Sequence, residues 1–256
     1  MTKVSIIIPL YNEAESIPPL CCRLEPVIGR LEEQYETEIV FVDDGSTDDT
    51  YRLLKQSFSN WPNVRFLRHE RNQNLGGALR TGFRASSGDL ICTMDSDCTY
   101  DPEKIPELIQ LLLDEELDLV TASPYHPDVK RCDAEGYRLF LSRNLSRLYS
   151  VILPYKIHCY TSLFRVYRRS AIEAIEIESP GFLAVAEILI KAGLKGFRLG
   201  ECALGLGRRR HGVSKAKKVK LIRDHLKFMS RALLTRWVPS KLKPLLPAQG
   251  SLFLSI

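Results

Sequence analysis

Four short apolar runs, VSIIIPL, EIVFV, VRFL and LICTM, alternate with segments of helical spacing along the first part of the chain. Strands separated by helix-length crossovers build a mostly parallel, doubly wound α/β sheet. A fifth run, DLVTAS, follows the helical stretch DPEKIPELIQLLLDEE. Ser16 with Pro18 and Pro19 opens a helix through LCCRLEPVIGRLEEQ, and Ser46 with Asp49 has the spacing of a capping box for the next helix. NLGGALRTGFRAS reads as a glycine-containing loop and helix.

The early strands end in acid: Glu13 after the first, Asp43 and Asp44 after the second, Asp95 and Asp97 after LICTM. Open α/β sheets bind ligands outside the carboxyl ends of their strands. Side chains two apart in an extended segment point the same way, so Asp95 and Asp97 converge. Such carboxylates suit sugar or ribose hydroxyls, a base N–H or a hard cation. They repel bare phosphate, so a phosphate bound here would arrive with a divalent metal. A dinucleotide fold would place GxGxxG after the first strand, where PLYNEAES has no glycine, and no GxxxxGK[ST] occurs.

The chain is 45% hydrophobic and 26% charged, ordinary for one large domain or a domain with a tail. Seven cysteines, two of them adjacent and none in a CxxC pair, suggest a reducing compartment. No secretory leader is expected, because MTKVSIIIPLYNEAES has no apolar region ending in a small-residue cleavage site and Pro9 and Asn12 interrupt it. No transmembrane helix is expected either, because no apolar run approaches about 18 residues. From Gly207 to Lys243 thirteen Lys and Arg stand against Asp224 alone, in a chain of net charge +5. The remainder is therefore net acidic, and the basic segment points to an anionic partner. Within it Ile222, Leu226, Met229, Leu233 and Trp237 recur at helical steps, with Lys218, Arg223, Lys227 and Arg231 around and opposite. That face could lie on a membrane surface or pack against the rest of the chain.

SIIIPLYNEAESI, VFVDDGSTDDT, NLGGALRTGF, MDSDCTYDPEKIPEL and RRRHGVSK, in that order, resemble the motifs of family-2 glycosyltransferases with a GT-A fold. Within them the likeness is to the dolichyl-phosphate mannose synthase-like group, which moves a sugar from a nucleotide donor to a polyprenyl phosphate. The resemblance implies that Pro9, Tyr11, Glu13, Val42 and Asp44 line the base and ribose pocket. It implies that Asp95 and Asp97 bind Mg²⁺ or Mn²⁺ across the donor diphosphate, with Ser96 beside them and Thr99 at the place of a third ligand. Arg138 matches the arginine ahead of a helix motif, here RLFLSR, and Arg209 and Lys215 match a basic clamp for phosphates.

The organisation expected is a catalytic domain over residues 1–216 and a basic amphipathic segment over 217–256. The implied partners are a nucleotide-sugar, a lipid-phosphate acceptor, the cytoplasmic face of a membrane and a membrane protein, but not nucleic acid. A phosphate acceptor, already ionised near neutral pH, attacks without a general base; a hydroxyl acceptor would need a carboxylate, and Glu187 in FLAVAEILIKAG is the candidate, unless it is a surface charge. Three positions depart from the family pattern: Pro124 replaces an arginine, Cys159 an aspartate, and Leu163 a glycine or serine. These departures leave room for a non-catalytic nucleotide-sugar-binding relative. ICTMDSDCT also fits the opening motif of haloacid-dehalogenase-type phosphatases, in which the first Asp is phosphorylated. His158 and His211 have no second metal ligand at helical spacing, and Cys159 reads as a small buried residue.

Overall fold

In the computed structural model, which describes residues 1–130, 132–133, 136–153, 157–207 and 218–237, the expected alternation is present. It runs β1 (Lys3–Leu10), α1 (Ile17–Glu32), β2 (Glu36–Asp43), α2 (Thr50–Phe58), β3 (Val64–Arg68), α3 (Leu75–Ala85), β4 (Leu90–Thr93), α4 (Ile105–Asp114) and β5 (Leu119–Ser123). After these come α5 (Gly136–Tyr149), β6 (Arg165–Arg168), α6 (Arg169–Glu173), α7 (Leu183–Leu194), β7 (Leu199–Ala203) and α8 (Lys218–Trp237).

The strands form one sheet in the order β3-β2-β1-β4-β6-β5-β7. β1 pairs in parallel with both β2 and β4, and β5 with β7, whereas β6 runs antiparallel between β4 and β5. β6 and β7 are the strands that apolar periodicity does not reveal. β6 is RVYR, and its Arg165 is fully buried. Burial of that guanidinium is tolerated because Thr121 Oγ1, Val185 O and Tyr160 O accept its hydrogens. β7 is LGECA, and a Cβ at Gly200 would lie 2.3 Å from Leu117 Cδ1.

Alternation along the strands sends side chains to two layers. Ile6, Ile8 and Phe41 join α1, α2 and α4 on one face. Ile7, Val40 and Val42 join α3, α7 and part of α8 on the other. From α8, His225, Met229 and Ala232 are buried and Phe228 and Leu233 are partly so. Part of the amphipathic face thus packs against the body, while Leu226 stays 51% exposed. The boundary expected at 216/217 lies outside the described residues.

Gly45 and Gly76 are among the glycines required by close approach. At Gly45, φ is +74° and a Cβ would sit 2.7 Å from the Arg71 backbone. At Gly76, a Cβ would lie 2.0 Å from Ser179 O, because the Gly76 N–H donates to Pro180 O. The Ser46–Asp49 capping box does not form. α2 starts after Asp49 with no side-chain cap, and Ser46 Oγ instead accepts the Asn12 N–H at 2.9 Å. Tying the β1 and β2 loops together takes the hydroxyl away from the helix.

Candidate functional site

The chain builds outward from β1 to β2 and β3, then returns through α3 to place β4 on the other side of β1. Where strand order reverses, neighbouring connections diverge and leave a crevice at the carboxyl ends. The three acidic strand ends belong to β2, β1 and β4, which are adjacent.

The β1 and β2 loops are laced together. Asn12 Oδ1 accepts the Thr47 N–H at 2.7 Å, and the Glu13 N–H donates to Thr50 Oγ1 at 2.7 Å. Glu13 Oε2 receives the Ser16 hydroxyl at 2.9 Å. Pro9, Tyr11 and Glu13 are half-buried along this rim. Asp44 is buried; its Oδ1 accepts the Gln73 N–H at 2.8 Å and the His69 Nδ1–H at 2.6 Å, and Thr81 Oγ1 stands 2.9 Å from His69 Nε2. Val42 is fully buried in the core, so its side chain does not line a pocket. Inward alternation from β2 decides that.

Asp95 and Asp97 are half-buried just past β4, with Ser96 buried between them. Asp97 Oδ1 accepts the Thr99 N–H at 3.0 Å and the Thr99 hydroxyl at 2.5 Å. Cys98 takes a left-handed φ of 50° so that this turn can close, and Arg23 Nη1 holds its carbonyl at 3.0 Å. Burial pushes the Cys98 thiol up to about 11; Arg23 pulls it down, and Asp97, Asp101 and Asp95 add to the rise. That thiol stays neutral within an acidic cluster. Two carboxylates one residue apart are the oxygen donors a hard divalent cation takes, the other positions being filled by substrate phosphate and water. Among the described residues no group of three His, Cys, Asp or Glu forms a complete metal cage.

Other expected residues fall elsewhere. Arg138 is in α5 with its side chain outside the described residues; Arg209, Lys215 and His211 lie outside them entirely. Glu187 is not a surface charge, being 1% exposed. Nor is it placed as a base: its oxygens accept the N–H groups of Glu178 and Ser179 at 2.9 and 2.8 Å, and Lys191 Nζ lies 2.6 Å away. The sequence reading missed His69 and Gln73, which hold Asp44. His69 directly follows β3, and that strand-end position was the available signal. Cys159 is buried, and burial pushes its thiol up.

A family model for glycosyl transferase family 2 matches residues 5–176. The chain belongs to that family. A dolichol-phosphate mannosyltransferase of Pyrococcus furiosus is 33% identical over 92% of this chain and 64% of its own length. An undecaprenyl-phosphate 4-deoxy-4-formamido-L-arabinose transferase of Yersinia enterocolitica is 36% identical over 68% of this chain and 51% of its own length. The chain thus spans between half and two thirds of these curated relatives. Glucosyl-3-phosphoglycerate synthase from Mycobacterium tuberculosis, solved with Mn²⁺, uridine diphosphate and phosphoglyceric acid, superposes with a TM-score of 0.69 at 21% identity. The match covers 93% of this chain and 80% of that one. The fold is therefore the GT-A arrangement that the motifs led us to expect. The phosphatase reading of ICTMDSDCT falls with the family match, and β4 is the fourth strand in the chain rather than the first.

Proposed function

We propose that this chain transfers a sugar from a GDP- or UDP-sugar to a polyprenyl or dolichyl phosphate, with inversion, at the cytoplasmic surface of a membrane. The observation that carries the reading is the convergence of Asp44, Glu13 and the Asp95–Asp97 pair on adjacent strand ends at the β1/β4 reversal. Asp44, oriented by His69 and Gln73, suits a ribose or base contact. Pro9 and Tyr11 offer an apolar wall for the base. Asp95 and Asp97 would hold Mg²⁺ or Mn²⁺, which would neutralise charge on the leaving diphosphate. Thr99 fixes the Asp97 carboxylate. Arg138, Arg209 and Lys215 would engage phosphate oxygens, the guanidinium forks in bidentate fashion.

The names of the curated relatives, which carry dolichol and undecaprenyl phosphates, support a lipid-phosphate acceptor. Among the described residues no helix is long and apolar enough to cross a membrane. Docking would use α5 and α8, which meet where Tyr149 packs on His225 and Phe228. Phe140, Leu148, Val151 and Leu226 are exposed on or beside these helices, as are Arg143, Arg147, Arg223, Lys227 and Arg231. Apolar insertion beside basic side chains is the pattern of surface-bound helices. A membrane-protein partner could share this face.

The test is to incubate purified protein with radiolabelled GDP- and UDP-sugars and polyprenyl phosphate, then extract into organic solvent. Metal-dependent label in the lipid phase is expected. No lipid-phase label with any donor would overturn the acceptor reading, and transfer undiminished in excess EDTA would overturn the metal role. Binding of nucleotide-sugar without turnover would instead identify a non-catalytic relative.

A further inference from the structure

Thr81, His69 and Asp44 form a continuous line of hydrogen bonds at the carboxyl end of β2. His69 follows β3, and its backbone N–H donates to Asp43 O at 2.9 Å. Its side chain is 8% exposed, with Nε2 2.9 Å from Thr81 Oγ1 in α3 and Nδ1 2.6 Å from Asp44 Oδ1. An ionised carboxylate only accepts, so Nδ1 carries a hydrogen, and the neutral ring accepts the Thr81 hydroxyl at Nε2. The Gln73 N–H donates to the same Asp44 Oδ1 at 2.8 Å. The Asp44 backbone is held as well, its N–H on Leu10 O at 2.8 Å and its carbonyl on Asn72 Nδ2 at 3.3 Å. The end of β1, the segment after β3 and helix α3 thus fix one carboxylate in one orientation.

The two oxygens of Asp44 are not equivalent. A carboxylate offers about two accepting sites on each oxygen, and both sites on Oδ1 are taken, by His69 and Gln73. Among the described residues none donates to Oδ2, which keeps contact with solvent although Asp44 is only 3% exposed. Asp44 therefore offers a ligand one accepting oxygen, beside a second that its own chain has filled. That asymmetry discriminates between bases. Guanine presents N1–H and N2–H side by side, a pair that needs both oxygens of a carboxylate. At Asp44 the N2–H would meet a saturated oxygen, and a buried donor left without an acceptor is costly. Uracil presents a single N–H, at N3, between two carbonyls. Its N3–H suits Oδ2, and the carbonyl that then faces Oδ1 meets an oxygen whose charge two N–H donors already offset.

We propose that Asp44 Oδ2 reads the N3–H of a uracil ring, so that the donor is a UDP-sugar rather than a GDP-sugar, and that His69 sets this choice by occupying Oδ1. This rests on the nucleotide-sugar reading above and decides between the two donors left open there. Tyr11 directly follows Leu10, whose carbonyl holds the Asp44 N–H. The carboxylate thus has an aromatic residue as its neighbour on β1, and aromatic side chains stack on bases. That neighbour favours the base over the ribose as the group Asp44 meets. His69 is a positioning residue: it touches Asp44, not the donor.

The test is calorimetric binding of UDP, GDP and N3-methyl-UDP to the full chain with Mn²⁺ present. The three ligands share the diphosphate, so metal and phosphate contacts cancel in their affinity ratios. Wild-type protein should bind UDP about tenfold more tightly, or better, than either GDP or N3-methyl-UDP, each of which loses a charge-assisted hydrogen bond. His69→Leu releases Oδ1 and should narrow the UDP:GDP ratio severalfold. His69→Asn, which keeps an N–H near the Nδ1 position, should preserve it. A merely structural role for His69 would lower both affinities and leave their ratio alone. GDP or N3-methyl-UDP bound as tightly as UDP by wild-type protein would overturn the proposal and leave glycosyl transfer standing. A wild-type ratio in His69→Leu would overturn the part assigned to His69. Failure to bind any of the three would remove the donor site and the proposal together.

Discussion

Lys191 Nζ stands 2.6 Å from Glu187 Oε1, one turn away in α7, and the carboxylate is almost wholly buried. Its oxygens fasten residues 178 and 179, next to the Pro180 carbonyl that receives the Gly76 N–H. Burial alone would push the Glu187 carboxyl up. Hydrogen bonds from Lys191, from the Glu178 backbone and from Ser179 outweigh it, with the Lys191 charge, and hold the group below its usual range. Removing one partner of a buried pair typically costs about 3–5 kcal/mol. Glu187→Ala should lose stability of that order in urea unfolding, while kcat measured well below its unfolding temperature stays within a few-fold of wild type. A hundredfold fall in kcat with stability intact would restore Glu187 as a base. Because its folded pKa is depressed, Glu187 contributes stability above the unfolded value near 4.5, and this contribution is lost as pH falls through the lower folded value.

His225 answers to pH in a different window. It is buried in the seat of α8, Nδ1 2.6 Å from the Tyr149 hydroxyl, and burial pushes its pKa down to about 4 from 6.5, with Asp224 opposing. Between those values the unfolded state binds more protons, so stability rises with pH across the window. The contribution is complete above about 6.5 and is lost as pH falls toward 4, on the order of 3 kcal/mol in all. Corrected for the base-catalysed intrinsic rate, the protection of α8 amides should fall between pH 7 and pH 5, and His225→Gln should flatten that response. Equal pH dependence in both proteins would remove His225 as the cause.

Gly76→Ala would bring a methyl group within 2.0 Å of Ser179 O, where backbone must give way. Overpacking of this kind costs about 1–3 kcal/mol. Because α3 follows the Gln73 that holds Asp44, the same change should raise the nucleotide-sugar KM. A calorimetric melting temperature unchanged from wild type would show that the 178–180 loop yields freely.

Asp97→Asn keeps the shape and the turn acceptor for Thr99 but removes the charge. Lewis-acid stabilisation is worth several kcal/mol, so transfer should fall about a hundredfold or more while circular dichroism and the melting curve stay near wild type. Retained Mn²⁺-dependent turnover would displace the pair as the metal site.

What could be read from the chain was local. Apolar runs with turn residues between them define β1 to β5 and α1 to α4, because period and punctuation are properties of neighbouring residues. The acids at the strand ends were visible for the same reason: Asp44, Asp95 and Asp97 directly follow the runs that place them. Tertiary structure decided the rest through contacts between distant residues. β6 is a strand because Thr121, Tyr160 and Val185 can satisfy a buried Arg165, which no pattern in RVYR reveals. Ser46 caps no helix because Asn12, 34 residues earlier, takes its oxygen. Glu187 looked like a helix charge until the fold wrapped residues 178 and 179 over it. His126 and His158, 32 residues apart, become a pair only when β5, β6 and β7 lie side by side. Sequence spacing carries side-chain direction along one element, whereas desolvation and hydrogen-bond partnership depend on which elements meet.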